Sequence, residues 1–161
     1  AFAKACKDKP GCNLILLGTG PELQNLRALS TRCGVESQVH FPGFVDNPYA
    51  WFDKADLFIL CSHLEGFPNV LVEAMACGLP VVATDCKTGP REILGDSSYG
   101  TLIEDITKEN EVEVEAVLSD LINTLFEDGN LEPLKRLSYT RSNDFGKELI
   151  VPKWNTLLDK E

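Results

Sequence analysis

Residues 56–84 read DLFILCSHLEGFPNVLVEAMACGLPVVAT, and this stretch decides the fold class. It begins with a mostly apolar run over 56–61 and ends with a second one over 81–84, and both are typical of strands buried on two faces. Between them, residues 68–77 have the composition of a helix, and Gly78 follows as a residue that commonly ends one. Two buried strands joined by a helix predict a parallel βαβ unit.

The same alternation continues on both sides of this unit. Each apolar run is followed by a turn signal or a helical pattern, and only helical patterns follow residue 104. We therefore predict an α/β domain with a Rossmann-like, doubly wound parallel sheet, helices on both faces, and ligands bound at the carboxyl ends of its strands. The predicted strands are 13–17, 38–41, 56–61, 81–84 and 100–103, and the predicted helices are 2–8, 21–33, 48–54, 68–77, 89–94, 112–126, 130–141 and 144–159.

Two of the predicted helices carry an apolar face that we expect to point toward the core. In the helix over 21–33 this face consists of Leu23, Leu26, Ala28 and Leu29. In the helix over 112–126 it consists of the apolar residues at 114, 117, 118, 121, 122 and 125.

The chain opens with a helical pattern, whereas a doubly wound sheet normally opens with a strand. We therefore expect that the first strand, which is often central in such a sheet, is missing. The N-terminus resembles the middle of a helix and has no apolar signal region, so we expect a fragment of a larger protein. In this interpretation residues 1–161 are a single domain, and residues 105–161 are its helical C-terminal part.

Composition excludes several classes of function. A chain of 161 residues with 43% hydrophobic residues can bury a core, which argues against disorder. The net charge of −10 repels phosphate backbones, so a nucleic-acid partner is not expected. No apolar run is long enough for a transmembrane segment.

The six cysteines contain no C-x-x-C pair, so the pattern does not predict a metal site. Several of them have apolar neighbours, which favours reduced core cysteines in a cytosolic protein. They are Cys6, Cys12, Cys33, Cys61, Cys77 and Cys86.

The candidate site lies in the central unit. Glu65 falls in the loop after a buried strand, where ligands bind in this architecture. The first-turn N–H groups of the next helix, near Asn69, Val70 and Leu71, form an anion site suited to a diphosphate, and Glu73 follows one turn later. Two carboxylates beside a positive helix end fit both the hydroxyls and the phosphates of a nucleotide-sugar. Spacing alone also allows a surface carboxylate and a helix-start carboxylate without function.

The stretch EGFPNVLVEAMACGLPVVATD resembles the E-x7-E region of retaining glycosyltransferases with the GT-B fold, of the family-four type. The match runs from about residue 1 to 104 and includes LILLGTGPELQNLR, VHFPGFVDNPYAWFDKADLFILCS and TDCKTGPREIL. These motifs look most like bacterial enzymes that build capsule, lipopolysaccharide or lipid-linked oligosaccharides, generally from UDP-sugars. The chain would be the C-terminal, donor-binding domain of such a two-domain enzyme.

The resemblance also implies roles for residues at matched positions. Glu65, the catalytic candidate, would contact donor-sugar hydroxyls together with Phe67, and Glu73 would hold the ribose hydroxyls. Backbone N–H groups of Asn69 and Val70 would meet the diphosphate. Many relatives have Gly where Pro68 stands, so one N–H contact is absent here. The remaining donor-binding residues are His40, which would bind the base mostly through its backbone, and Gly18 and Gly20, which would line the same rim.

Enzymes of this family transfer the sugar with retention, and catalysis comes largely from stabilising the leaving diphosphate. In relatives an Arg/Lys pair after the first strand does this, and an N-terminal domain carries the glycan or lipid-linked acceptor. The chain begins beyond both, so we expect it to be inactive alone. The resemblance implies no metal and no cofactor. It implies a cytoplasmic location, with the full-length protein at the inner face of the membrane.

Two alternatives remain open at this point: a GT-B nucleotide-sugar epimerase and a non-catalytic nucleotide-binding or interaction module. An oxidoreductase is less favoured because Gly18-x-Gly20 lacks the third glycine of the dinucleotide fingerprint. Arg91 could lie near phosphate, although a surface pair with Glu92 is the simpler expectation. The residues expected to serve structure rather than ligand binding are His63 in the loop and Tyr49, Trp51 and Phe52 in packing.

Overall fold

The computed structural model describes residues 1–127 and 131–158, and it confirms the alternation of strands and helices. The ends of the predicted helices at residues 130 and 159 lie outside the described residues. The strands are β1 (Leu14–Leu17), β2 (Val39–Gly43), β3 (Phe58–Leu60), β4 (Val81–Thr84) and β5 (Thr101–Ile103). The helices are α1 (Phe2–Cys6), α2 (Leu23–Arg32), α3 (Tyr49–Phe52), α4 (Asn69–Ala76), α5 (Pro90–Leu94), α6 (Glu111–Glu127), α7 (Leu131–Ser142) and α8 (Lys147–Leu158), with a 3-10 helix at Asn143–Phe145.

The described strands form two parallel sheets, one of β1 and β2 and one in the order β3-β4-β5. In the larger sheet Ile59 pairs with Val82, and Val82 pairs with Thr101. In the smaller sheet Leu14 pairs with Val39, and the register shifts before Leu17. Parallel strands joined through helices confirm the predicted doubly wound architecture.

The division between the two sheets falls where the first strand is expected. A doubly wound sheet has the strand order 3-2-1-4-5-6, so β1 and β3 correspond to the strands on either side of the first one. Both are wholly apolar, as interior strands are, yet both are only partly buried, whereas every residue of β4 is buried. In the described structure β1 and β3 are edge strands that each pair on one side only, which accounts for their exposure.

Helices cover both faces of the larger sheet, because successive side chains of β4 point in opposite directions. Val81 and Ala83 join one buried cluster with residues of α4 and α5. Val82 joins a second cluster with residues of α1, β5 and α6. The predicted stripe of α6 is confirmed by buried residues at Val114, Leu118, Ile122 and Leu125, although Val117 is 51% exposed.

The two sheets are connected through α1 and the loop that follows it. The buried side chain of Gln38, just before β2, donates from Nε2 to the carbonyl oxygens of Cys6, Lys9 and Cys12 at 3.0, 3.0 and 2.9 Å. Cys6 and Cys12 also pack in the cluster that covers the larger sheet. The loop after α1 therefore ties the amino end of the smaller sheet to the cluster that covers one face of the larger sheet.

One expectation about packing is wrong. The apolar face of α2 is largely exposed, with Leu26 at 40% and Leu29 at 45%, because the sheet beside this helix is only two strands wide. The packing expected of the aromatics of α3 is confirmed for Phe52, which is buried against Phe58, and for Tyr49, whose ring packs edge-on against Phe52. Tyr49 nevertheless remains half-exposed, and Trp51 is exposed.

The expectation of six reduced core cysteines is wrong as well. Cys6 and Cys12 are joined in a disulfide. Cys61 and Cys77 are free but exposed, since they lie at a strand end and a helix end. Cys86 is both free and buried, as expected.

The C-terminal part is helical, as predicted, with α7 packed against α4. Arg141, near the end of α7, donates to the carbonyl oxygens of Glu92 and Ile93 at 2.8 Å each and so joins α7 to α5. Helix α8 contains Pro152 and has no buried residue. Within the described parts of the chain, no helix is long and apolar enough to cross a membrane.

Candidate functional site

The loop that carries Glu65 leaves β3 at the carboxyl edge of the larger sheet. Its first residues are held by the fully buried Thr84, the last residue of β4, whose Oγ1 donates to the carbonyl oxygen of Ser62. The sheet thereby fixes the point from which the loop toward Glu65 departs.

A second contact holds the loop at Glu65 itself. Thr88, just before α5, donates from its hydroxyl to the carbonyl oxygen of Glu65. The next residue, Gly89, has a φ of +91° and lies against the backbone of Gly66. The side chain of Glu65 is half-buried. The backbone at Glu65 is thus anchored while its carboxylate can still meet a ligand.

Phe67 forms the third contact of this loop. Its ring packs edge-on against Phe145 of the 3-10 helix, with ring centroids 5.5 Å apart and an interplanar angle of 63°. Phe67 nevertheless remains 43% exposed. One side of the ring is therefore packed against the C-terminal part, and the rest of it faces solvent.

The N-terminus of α4 follows this loop. Helix α4 begins at Asn69 after Pro68, and no side chain caps its first turn. The N–H of Leu71 donates to the carbonyl oxygen of Pro68 at 2.9 Å, so the predicted free N–H at Leu71 is wrong. Asn69 and Val70 are exposed. Asn69 and Val70 therefore contribute the first N–H groups of this uncapped helix end.

Glu73 lies four residues into α4, about 6 Å along the helix axis from Asn69. It is half-buried. Its carboxylate acts on Cys77, the residue that follows α4: the pKa of that thiol is raised above its ordinary value, first by partial burial of the thiol and then by the carboxylates of Asp53 and Glu73. The negative charge of Glu73 therefore acts on this face of the helix without an ion-pair partner among the contacts described.

The glycine turn after β1 is open. Gly18 has a φ of +110°, and its N–H donates to the carbonyl oxygen of Gly43 at 2.8 Å. A β-carbon at Gly18 or Gly20 would have no heavy atom within 4 Å, so both glycines border free space. This turn therefore leaves room for a ligand at the carboxyl ends of β1 and β2.

His40 lies near the amino end of β2, away from the glycine turn. It is the second residue of β2, and its Nε2 is 2.9 Å from Oδ1 of Asn13, which precedes β1. The imidazole is thus directed toward the amino ends of the strands. The residue that follows the carboxyl end of β2 is Phe44, which is 76% exposed. Phe44 is not among the residues that the sequence predicts for the site.

Arg91 and His63, two titratable residues near the site, have protein partners. Arg91 is paired with Asp85 and Asp96 and not with Glu92, because Asp85 at the end of β4 and Asp96 beyond α5 both lie beside its guanidinium. These bonds raise the pKa of Arg91 above its ordinary value. His63 is a loop residue, as expected, with Nδ1 3.5 Å from Oδ1 of Asp105.

No group of three or more His, Cys, Asp or Glu side chains lies close enough to hold a metal ion in residues 1–127 and 131–158. The features that can contact a ligand are instead two carboxylates, a pair of helix N–H groups, and glycine turns. They lie at the carboxyl ends of parallel strands.

The family model described as glycosyl transferases group 1 matches residues 1–140. The chain belongs to this family. The match covers every residue of the candidate site except Phe145, together with both sheets.

Two curated relatives illustrate the family. An uncharacterised glycosyltransferase of Methanocaldococcus jannaschii is 31% identical, over 99% of this chain and 45% of its own length. N-acetylgalactosamine-N,N'-diacetylbacillosaminyl-diphospho-undecaprenol 4-alpha-N-acetylgalactosaminyltransferase of Campylobacter jejuni is 36% identical, over 89% of this chain and 38% of its own length. The chain spans less than half the length of these relatives.

Solved structures of glycosyltransferases share the fold. The pneumococcal O-GlcNAc transferase GtfA, in complex with UDP and GlcNAc, superposes over 99% of this chain and 31% of its own, with a TM-score of 0.88 at 23% identity. Anabaena HepE in complex with UDP superposes over 99% of this chain and 44% of its own, with a TM-score of 0.83 at 27% identity. The fold is that of the GT-B glycosyltransferases.

Proposed function

We propose that this chain is the donor-binding half of a retaining glycosyltransferase that takes a sugar from a nucleotide diphosphate sugar, with UDP as the favoured nucleotide. One observation carries the proposal: the uncapped N–H groups of Asn69 and Val70 lie between Glu65 and Glu73 at the carboxyl edge of a parallel sheet. Anions bind such helix ends, and carboxylates bind sugar hydroxyls.

Each group has a distinct role in this proposal. The N–H groups of Asn69 and Val70 receive the diphosphate, and the helix dipole of α4 favours the negative charge that grows there as the sugar leaves. The carboxylate of Glu73 accepts hydrogen bonds from the ribose. The carboxylate of Glu65 accepts them from the donor sugar, beside the exposed part of Phe67.

The base extends toward the second sheet in this proposal. Gly18 and Gly20 leave room for it. In this proposal the backbone of β2 at His40 contacts the base, and the exposed Phe44 follows the carboxyl end of the same strand. UDP is favoured because the complexes of GtfA and HepE contain it. We further propose that the acceptor, a glycan or lipid-linked saccharide, binds a separate domain, in the cytoplasm at the inner face of the membrane.

The binding test compares UDP, GDP and their sugars by ligand-observed NMR and calorimetry on this chain. We expect UDP to bind with a dissociation constant in the millimolar range or lower. Glu73→Gln should weaken UDP binding by about 5- to 30-fold, the effect of losing a charge-assisted hydrogen bond of roughly 1–2 kcal/mol. Glu113→Gln, an exposed carboxylate in the first turn of α6, is the matched control and should leave the affinity unchanged.

Glu65→Gln tests the division of roles. It should reduce the binding of a UDP-sugar more than the binding of UDP, because only the sugar contacts Glu65 in this proposal. Equal UDP affinity of Glu73→Gln and the unaltered chain would contradict the assignment of the ribose contact. The chain alone should not turn over a UDP-sugar, and measurable turnover would refute the dependence on a second domain.

A further inference from the structure

The Glu65 loop is contacted from the C-terminal part of the chain as well as from the sheet. Phe145 lies in the 3-10 helix between α7 and α8, and its ring packs against Phe67, two residues after Glu65. Phe145 is partly buried against the cluster that also contains α4 and α5 residues. A residue far along the chain therefore touches the loop that carries the candidate catalytic carboxylate.

Arg141 holds Phe145 in this place. Its guanidinium carbon lies 4.8 Å from the centroid of the Phe145 ring and 4.9 Å from that of Tyr99. The same guanidinium pairs with Asp144 at 2.9 Å. It also makes the two bonds to the carbonyl oxygens of α5 described above, and its side chain is only 20% exposed. A planar, rigid donor group with this many partners has one available orientation.

The contacts of Arg141 reach the loop by two routes. One route runs through Phe145 to the ring of Phe67. The other runs through α5, whose first residues adjoin Gly89, and Gly89 lies against the backbone of Gly66. Both routes end within residues 65–68. That loop contains a glycine and has no regular secondary structure, so its conformation depends on these contacts.

We propose that Arg141 and Phe145 are positioning residues that keep the Glu65 loop in its nucleotide-binding conformation. That the ligand of this loop is a nucleotide rests on the proposed function. When Phe145 is truncated, Phe67 loses its packing partner and the loop populates conformations in which Glu65 and the N-terminus of α4 no longer face one ligand. The apparent affinity for the nucleotide then falls in proportion to the fraction of molecules that remain competent to bind.

The experiment compares Phe145→Ala, Phe145→Tyr and Tyr139→Ala in the whole chain. Phe145→Tyr keeps an aromatic ring and tests for rescue. Tyr139→Ala removes an aromatic residue of α7 that is 56% exposed and serves as the matched control. Two readouts are taken: the 15N heteronuclear NOE of the Gly66 and Phe67 amides without ligand, and the dissociation constant of UDP. Circular dichroism confirms that each variant is folded.

We expect Phe145→Ala to lower the heteronuclear NOE at Gly66 and Phe67 and to weaken UDP binding three- to tenfold. Phe145→Tyr should restore both, and Tyr139→Ala should change neither. An unchanged NOE in Phe145→Ala would overturn the positioning role even if the chain binds no UDP, because that readout needs no ligand. Failure of the unaltered chain to bind any nucleotide would instead count against the proposed function. An altered NOE with unchanged UDP affinity would overturn the link between loop conformation and binding.

Discussion

Gly89 packs against the backbone of Gly66 with no room for a β-carbon between them. A β-carbon at position 89 would lie 2.5 Å from the carbonyl oxygen of Gly66 and 2.6 Å from Cδ of Pro68. Gly89 also has a φ of +91°, which residues with a side chain rarely adopt. Glycine is therefore required here for two independent reasons, and one of them is the contact with the loop that carries Glu65.

Gly89→Ala should destabilise the chain by about 2–4 kcal/mol, since backbone strain and a backbone clash add together. Gly78→Ala isolates the strain, because Gly78 has a φ of +76° and open space around a β-carbon, and should cost only about 1–2 kcal/mol. Gly11→Ala meets neither problem and should be close to neutral. Urea denaturation of the three variants measures the free energy of unfolding of each and so tests this order. Equal costs for Gly89→Ala and Gly78→Ala would show that the loop moves away freely.

Gln38→Glu should destabilise the chain by roughly 3 kcal/mol at neutral pH. The substitution replaces the amide that donates to three carbonyl oxygens with a carboxylate that can only accept, in a buried position. At about pH 4 the new carboxyl binds a proton and can donate again, so the difference from the unaltered chain should shrink as the pH falls.

Gln38→Met, which removes the donor without adding charge, is the control for this pH dependence. It should be less costly at neutral pH, and its difference from the unaltered chain should not follow the pH. Thermal denaturation of both variants between about pH 4 and pH 7 measures how the stability difference of each from the unaltered chain depends on pH. A Gln38→Glu cost that is the same at both ends would mean that water reaches this side chain.

Glu73→Gln should make the Cys77 thiol react faster with iodoacetamide at mildly alkaline pH. Burial and the carboxylates of Asp53 and Glu73 hold the pKa of this thiol above its ordinary value. Removing one negative charge lowers the pKa, raises the thiolate fraction at a given pH, and moves the alkylation profile to lower pH. Peptide mapping by mass spectrometry separates Cys77 from the exposed Cys61.

Asp53→Asn should shift the alkylation profile of Cys77 in the same direction, and Glu113→Gln should leave it in place. A profile that does not move in Glu73→Gln would show that the Glu73 carboxylate points away from the thiol. It would also remove the support for a charged Glu73 on this face of α4.

Hydrogen exchange should distinguish the unpaired amides of β1 and β3 from the paired amides of the central strand β4. The N–H of Phe58 donates to Pro80 and that of Leu14 donates to Gln38, so the N–H groups of Ile59 and Ile15 point to the unpaired sides of β3 and β1. We expect Ile59 and Ile15 to exchange at least tenfold faster than Val82 in the central strand β4, a ratio set by free access to solvent. Equal protection would show that self-association covers these edges.

The central βαβ unit was predictable from the sequence, although its first strand, β3, covers only Phe58–Leu60 of the predicted 56–61. Its strand at 81–84 matches β4, and its helix at 68–77 contains α4, because apolar runs, Pro68 and Gly78 are strong local signals. The packing of α2 was not predictable in this way. Its apolar face follows helical periodicity, but burial also needs a sheet wide enough to cover it, and that depends on strands far away in the sequence.

The candidate site likewise has features that local sequence predicts and others that depend on tertiary contacts. Local sequence was enough to place Glu65 in a loop after a strand and Glu73 in the first turns of a helix. It could not place the partner of Arg91, since Asp85 and Asp96 approach it only when β4 and α5 fold against each other. It also gave no sign that the N–H of Leu71 would bond back to Pro68.

For this protein the sequence by itself determined the α/β class, the family, and the positions of Glu65 in a loop and of Glu73 in a helix, because each depends on short patterns whose residues are neighbours along the chain. Only the tertiary structure decided what holds Glu65 in place. Thr88, Gly89 and Phe145 reach that loop from other elements, and contacts between residues far apart in sequence leave no periodic trace in it. The same reason explains the split sheet: the number of strands that pair is a property of the assembled fold and not of any one strand.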